Sequence, residues 1–440
     1  MHHRGRHWGA AFLAFSLILA LSLALGLPSR AGAQAGLPDD LKGLIAEALK
    51  ANPDLKRLDQ LKAASQKQIT SAGALEDPML SVGVMNVPTN KFSFTQDDQT
   101  AKQVMLSQKF PFPGKRRLKS QMAGDQARAD EFTYKDRANE IRARVVQAYW
   151  GLALSYALFD ITQKNKKFWE QVVEVAQTRY SLGKGNQSEV LQAQVEQGMY
   201  LDRLLDFQQR QESFRADLNN LRSKPPQTPI SRPQALRPQP YALKLDWLLA
   251  QVEAHPQLQG LKAVVARQQK AVDLARKDYF PDVTVGVAYG IRDDLSATQK
   301  RPDMFTGQLS VNLPIWRRSK LNPQLEEQYA RKNAAEEDYK AAANRIAAAI
   351  KDRHAKLQRL EQQVALFNQA IIPQARQGAE ATLAGYQVGK IDFARVYQDQ
   401  IAVYGAEMKL QEYLKDYEEN WAELEWLVGR DLPRRAGGIK

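Results

Sequence analysis

No cysteine occurs among the 440 residues. That excludes disulfides, a thiolate metal cluster, a cysteine nucleophile and a lipid-bearing N-terminal cysteine. Histidine is nearly absent as well. Past residue 33 only His255 and His354 remain, too far apart in sequence to suggest a metal pair. The chain has no H-E-x-x-H, no G-x-S-x-G and no phosphate loop; Gly114-Lys115 and Gly183-Lys184 lack the earlier glycine that such a loop requires. Enzyme chemistry and a bound cofactor therefore find no support. After residue 27 no apolar run approaches the roughly 18 residues of a membrane helix. Any further crossing of a membrane would have to use strands.

What the chain does have begins with an export signal. Arg4 and Arg6 precede an apolar run from Gly9 to Leu27, and Pro28, Ser29, Arg30 and Ala31-Gly32-Ala33 follow. Basic, apolar and small-residue segments in that order predict a secretory signal over residues 1–33, cleaved after Ala33. An uncleaved anchor is the alternative. Cleavage removes three arginines and no acid, so the net charge falls from +13 to +10. An exported protein rarely meets DNA or RNA, so the basic balance does not make nucleic acid a partner.

The rest of the chain is one unit written twice. Ala51-Asn52-Pro53-Asp54-Leu55 returns as Ala254-His255-Pro256-Gln257-Leu258, Val82-Gly83-Val84 as Val285-Gly286-Val287, and Phe110-Pro111-Phe112 as Leu313-Pro314-Ile315, all at an offset of 203 residues. Tyr180-Ser181-Leu182-Gly183-Lys184 returns as Tyr386-Gln387-Val388-Gly389-Lys390 at an offset of 206. Repeats of this kind decide an architecture before any local pattern does. The prolines between Pro225 and Pro240 cannot be helical and mark the seam. The expected plan is a first repeat over 34–223, a proline-rich linker over 224–240, a second repeat over 241–430 and a tail over 431–440.

Each repeat reads as helix, hairpin, very long helix, turn, helix. Leu41 to Ala74 is rich in helix formers. Val283, Val285, Val287, Tyr289 and Ile291 alternate with small or polar residues, as do Phe305, Leu309, Val311 and Leu313, and period two predicts strands. Leu80, Val82 and Val84, then Val104, Leu106 and Phe110, repeat this less regularly. From Gly114 to about Tyr180 there is no proline; from Trp316 to about Tyr386 there are Pro323 and Pro373 only. Pro373 is expected to kink its helix. Leu357, Leu360, Val364, Phe367 and Ile371 form a coiled-coil seam. A helix of about 67 residues is about 100 Å long, and two flanking helices laid end to end match it. The fold class expected is thus mainly α, a long coiled-coil barrel with a small transmembrane β part. Four strands cannot close a lipid-facing barrel alone. A dimer would supply eight and a trimer twelve.

This layout resembles the TolC family of outer-membrane efflux proteins, over essentially the whole chain past the signal. The stretch Phe110-Pro111-Phe112-Pro113-Gly114-Lys115 is similar to its heavy-metal, CzcC-like branch. The resemblance implies a homotrimer with a twelve-stranded barrel in the outer membrane and a periplasmic helical tunnel. It also implies a periplasmic adaptor protein and an inner-membrane RND-type pump as partners. Tyr180, Leu182, Gly183, Lys184, Tyr386, Val388, Gly389 and Lys390 would then be adaptor-docking tips; helix capping by the glycines is compatible with that. Glu189 stands where the family narrows its tunnel with a carboxylate; the corresponding positions of the second copy hold Arg395 and Gln398 instead, and Asp392 lies nearby; a solvated helix face is the alternative. Lys115, Arg116 and Arg117, with Trp316, Arg317 and Arg318, flank the strands. They read either as contacts to outer-membrane lipid head groups or as solvated helix starts. The competing functions are a protein-secretion duct of the type I kind and a periplasmic coiled-coil scaffold.

Overall fold

The computed structural model describes residues 37–237 and 240–434. The expected signal, and the tail beyond residue 434, lie outside these residues. The first repeat opens with α1 (Asp39–Ala51) and α2 (Pro53–Ala72), continues through strands β1 (Met79–Met85) and β2 (Ala101–Phe110), and ends with α3 (Lys115–Ser181) and α4 (Gln187–Leu221). The second opens with α5 (Leu245–Leu249), a 3-10 turn and α6 (Pro256–Lys277). Strands β3 (Val283–Ile291) and β4 (Met304–Val311) follow, and then α7 (Asn322–Leu366), α8 (Ile372–Gln387) and α9 (Phe393–Val428).

The single helix expected over 41–74 is broken at Asn52. Pro53 has no N–H to continue a helix and is favoured at a first turn. Asn52 is extended, and its side-chain oxygen accepts from the Asp54 N–H at 3.0 Å. His255 does the same for α6, its Nδ1 accepting from the Gln257 N–H at 3.1 Å.

The four strands form one antiparallel sheet in the order β1-β2-β3-β4, so the two hairpins lie side by side. Leu106 pairs with Val287 and Val104 with Tyr289 across the joint between the repeats. Large apolar side chains of this sheet are uncovered: Val82 is 76% exposed, Phe305 75% and Leu309 70%. A folded chain does not leave such a patch to water; it marks a membrane or a partner surface. Among the described residues no helix is long and apolar enough to cross a membrane.

The helix α3 runs 67 residues without interruption, about 100 Å. Near the sheet it packs on α2 and α6, and toward the far end on α4 and α9. It is the continuous strut, and its neighbours are stacked pairs. The main core is built where these pairs meet, around Val145, Tyr149 and Leu152 of α3 with Leu41, Leu218 and Leu410. A second core joins Leu357 and Leu360 to Trp421 and Leu424. Phe367 and Ile371 of the expected seam are half-buried against the main core.

Pro373 does not act alone. A π turn over Phe367–Ile371 precedes it, and a second, over Arg317–Leu321, precedes Pro323. Ile372 N–H is given to Phe367 O, and Asn322 N–H to Arg317 O, both five residues back. A proline ring collides with the carbonyl four residues earlier, and the wider turn removes that collision. Each π turn also takes up one residue more than an α turn. Two of the three residues by which the repeat offset grows from 203 to 206 are thereby absorbed without a loop.

Candidate functional site: the paired tip turns

The helix ends farthest from the sheet are two turns of the same design. In the first, Lys184 N–H is given to Arg179 O at 2.8 Å and Gly183 N–H to Tyr180 O at 3.0 Å. In the second, Lys390 N–H is given to Gly385 O at 2.9 Å and Gly389 N–H to Tyr386 O at 3.0 Å. This is the Schellman closure of a helix C-terminus, which needs a left-handed residue. Gly183 has φ +67° and Gly389 φ +78°. The residue before each glycine is thrown outward: Leu182 is 64% exposed and Val388 69%. Lys184 and Lys390 are exposed beside them, and Tyr180 is half-exposed.

Arg179 fixes the two turns at one spacing. Its Nη1 donates to Tyr386 O at 2.7 Å and its Nη2 to Lys184 O at 3.1 Å. The guanidinium also lies 4.6 Å from the centre of the Tyr386 ring, a cation–π contact. Tyr386 is fully buried, and its hydroxyl donates to Glu189 Oε2 at 2.9 Å. Burial and the Glu189 carboxylate both push the phenol upward, so it remains a donor at neutral pH. Glu189 thus belongs to a cross-repeat network rather than to a free helix face. A groove of about 920 Å³ lies between the turns, lined by Thr178, Arg179, Leu182, Lys184, Val388 and Gly389.

The other gate candidates behave differently. Asp392 caps α9, its Oδ1 accepting from the Arg395 N–H at 3.0 Å. Arg395 Nε donates to Asp399 Oδ2 at 3.1 Å, and that same oxygen accepts from the Thr382 hydroxyl at 2.5 Å. Gln398 is exposed. Glu189 and Asp392 keep separate partners, Tyr386 for the one and the start of α9 for the other.

Arg179 was not among the residues singled out in the sequence, yet a signal for it exists. At the offset of 206, Arg179 stands against Gly385, and Gly185 against Ile391. Large and small residues are exchanged between the copies. A Cβ on Gly385 would lie 2.6 Å from Ile391 Cδ1, so Ile391 fills that side of the second turn. In the first turn the large residue is Arg179, which bonds Lys184 O of its own turn and reaches across to Tyr386 O.

At the sheet end the basic clusters divide. Lys115 is not a lipid-facing group: its side chain is 7% exposed, and its Nζ is 2.9 Å from Asp282 and 3.0 Å from Asp278 of the second repeat. Phe112 stacks on Phe280 in the same joint at 4.6 Å. Arg116 is exposed and donates to Gly73 O at 2.8 Å, and Arg117 is exposed. Leu313, Ile315 and Trp316 are about two-thirds or more exposed, and Arg317 and Arg318 after them are exposed too.

The chain matches the family described as "Outer membrane efflux protein" over residues 44–222 and 249–430, well over half its length. It belongs to the outer membrane efflux protein family. Among relatives of this efflux protein, the fusaric acid resistance protein FusA of Burkholderia cepacia is 24% identical over 221 residues, 48% of this chain and 41% of that protein. The cobalt-zinc-cadmium resistance protein CzcC of Cupriavidus metallidurans is 22% identical over 420 residues, 94% of this chain and 90% of that one. The solved outer membrane protein VceC of Vibrio cholerae superposes with a TM-score of 0.77 at 20% identity, covering 89% of this chain and 96% of that chain. The TolC-type resemblance read from the paired motifs is therefore borne out. The family match and the fold shared with the solved VceC agree on an outer membrane efflux protein, and the chain spans less than half the length of FusA.

Proposed function

We propose that three copies of this chain form the passive exit duct of a tripartite efflux system. The duct receives solutes from an RND-type pump of the inner membrane through a periplasmic adaptor that docks on the tip turns. The observation that carries this reading is the pair of Schellman turns, which present Leu182 and Val388 side by side on a spacing held by Arg179. Exposed apolar lips over a rigid floor suit a packed protein partner. Among the described residues the sheet has four strands with β1 and β4 unpaired at its edges, which supports sharing one barrel among three chains, since lipid tolerates no open edge. Trp316, just past the last strand, suits the head-group level. Glu189, bound by Tyr386 beside the first turn, is the gate acid of this reading. Repeated by symmetry it would favour cations. The relative matched along most of its length is a cobalt-zinc-cadmium resistance protein, so divalent metal ions are the first cargo to test.

The test replaces both Gly183 and Gly389 with valine. A left-handed β-branched residue costs about 1–2 kcal/mol at each turn and displaces the lips. Crosslinking of the adaptor to the tip should fall at least tenfold while trimers persist on unheated gels. Unchanged crosslinking would remove docking from these turns.

A further inference from the structure

Where β4 ends, the chain leaves the sheet through a fixed order of side chains. Leu309 and Val311 stand on the uncovered apolar face, and Leu313 and Ile315 follow at the same spacing of two, both exposed. Trp316, next along the chain, is exposed as well. Arg317, Arg318 and Lys320 come after it, all exposed and none in an ion pair among the described residues. Apolar, aromatic, cationic is the order met on leaving a bilayer through its head groups. We propose that Trp316, Arg317, Arg318 and Lys320 form a binding site for an anionic phospholipid in the periplasm-facing leaflet of the outer membrane. This rests on the sheet lying in that membrane, and not on the adaptor or the pump of the reading above.

The first copy shows the same segment when the protein itself takes it up. At the offset of 203, Phe112 stands where Ile315 stands, Lys115 where Arg318 stands and Arg117 where Lys320 stands. Phe112 is stacked on Phe280, and Lys277 Nζ lies 5.2 Å from the centre of its ring. Lys115 is enclosed by Asp278 and Asp282. The counterparts of Lys277, Asp278 and Asp282 at the offset are Ala74, Leu75 and Met79. None of these carries a charge. The repeat therefore copies the cations into the second half and omits the acids that neutralise them in the first.

The cluster is costly as it stands. Three cations within four residues repel one another, and the dipole of the helix that begins there disfavours them further. Neither the turn over Arg317–Leu321 nor the start of α7 has an acidic residue in its first turn. Glu327, farther along, is held by Arg331. Across the sheet end, Glu76 is held by Lys109 at 3.2 Å. Asp77 is exposed, and its pairing with these cations in a second copy is the rival explanation. A phosphodiester relieves the repulsion, since guanidinium groups match phosphate oxygens two at a time and an amine adds a point charge. A zwitterionic head group would return a positive charge to the cluster. The site should therefore prefer phosphatidylglycerol to phosphatidylethanolamine.

The test uses the full-length protein in detergent micelles, titrated with either lipid carrying brominated acyl chains, which quench tryptophan on contact. Trp316 is the reporter, because Trp150, Trp169 and Trp421 are buried. Phosphatidylglycerol should quench saturably at about a tenth of the concentration that phosphatidylethanolamine needs. Trp316→Phe should remove most of that signal. Changing Arg317, Arg318 and Lys320 together to glutamine should abolish the preference, whereas Arg317→Lys with Arg318→Lys should keep it. Equal quenching by the two lipids in the parent would overturn the proposal, as would a preference that survives the glutamine variant. Inorganic phosphate that displaces phosphatidylglycerol at equal concentration would overturn a lipid as the ligand. A glutamine variant whose trimers loosen on unheated gels while the preference persists would overturn it too, and would assign the cations to a contact between copies. Adaptor crosslinking at the tip turns is unaffected by each of these outcomes, so the two readings fail separately.

Discussion

The two long helices of this protein solve one problem in two ways. The helix α3 crosses about 100 Å as one run of 67 residues with no proline. Its counterpart covers the same span in stages, a π turn and α7, then a π turn and α8, each π turn directly upstream of a proline. The second copy has extra residues, and the π turns take them up while Leu357, Leu360 and Val364 stay buried on one seam. A proline in a long helix thus need not break it, provided an added residue lets the carbonyl four back move aside. That account is broken most directly by exchanging the features. Lys167→Pro places a proline in α3 with no π turn before it, and should cost about 3 kcal/mol or more. Pro373→Ala should gain about 1 kcal/mol, because most of the strain is already relieved. Thermal unfolding of the trimer in detergent reads both. A gain from Pro373→Ala as large as the loss from Lys167→Pro would show that the π turn does not relieve the proline.

The sheet-end joints differ in a second way. In the first copy, Lys115 is enclosed by acids of the second copy; in the second copy, Arg318 is exposed. Removing one partner of an enclosed pair leaves charge without compensation. Lys115→Ala should therefore destabilise the chain by about 3 kcal/mol. For the fold of a single chain, Arg318→Ala should lie within about 0.5 kcal/mol. Comparison of the two variants by urea unfolding in detergent measures the difference. Comparable losses would mean that both joints are closed within one chain.

How much of this was legible in the sequence follows from the range of each interaction. Helices, strands and the doubling rest on short periods and on a fixed offset, and both are visible along the chain. The tip turns were legible because a Schellman closure lies within six residues and leaves a glycine behind. The burial of Lys115 was not, since Asp278 and Asp282 arrive from more than 160 residues away. As a run, Lys115-Arg116-Arg117 looks uniformly solvated; only the fold separates its first member. Arg179 was overlooked for a related reason: its partners, Lys184 O and Tyr386 O, are backbone atoms, which no residue type announces. Where a kink was expected at Pro373, the structure shows a π turn just before it, over Phe367–Ile371, which depends on the length mismatch between copies and not on the proline alone.

The smallest difference between the copies is one capping residue. Asn52 caps α2 and His255 caps α6, at the same offset and through the same kind of bond. Only the second can titrate. His255 is buried, and its Nδ1 must be unprotonated to accept from the Gln257 N–H. Its Nε2 has no hydrogen-bond partner among the described residues and lies 3.9 Å from Asp136 Oδ1 of α3, and Asp136 itself accepts from the Trp426 indole of α9 at 3.1 Å. Burial pushes the imidazole below its usual 6.5, and the Asp136 carboxylate offsets this only in part. The unfolded chain therefore takes up the proton first. The stability that the neutral cap provides is complete above about pH 6.5 and is lost as pH falls from there toward the folded pKa. Asn52 contributes no such slope. His255→Asn should keep the α6 cap and flatten the dependence of the unfolding midpoint on pH between about 6.5 and 5. Glu418 and Glu419, which burial pushes above the usual carboxylate range, take up protons in the folded chain first and so act in the opposite sense. If the midpoint of the His255→Asn protein falls as steeply as that of the parent, the acid sensitivity belongs to other groups.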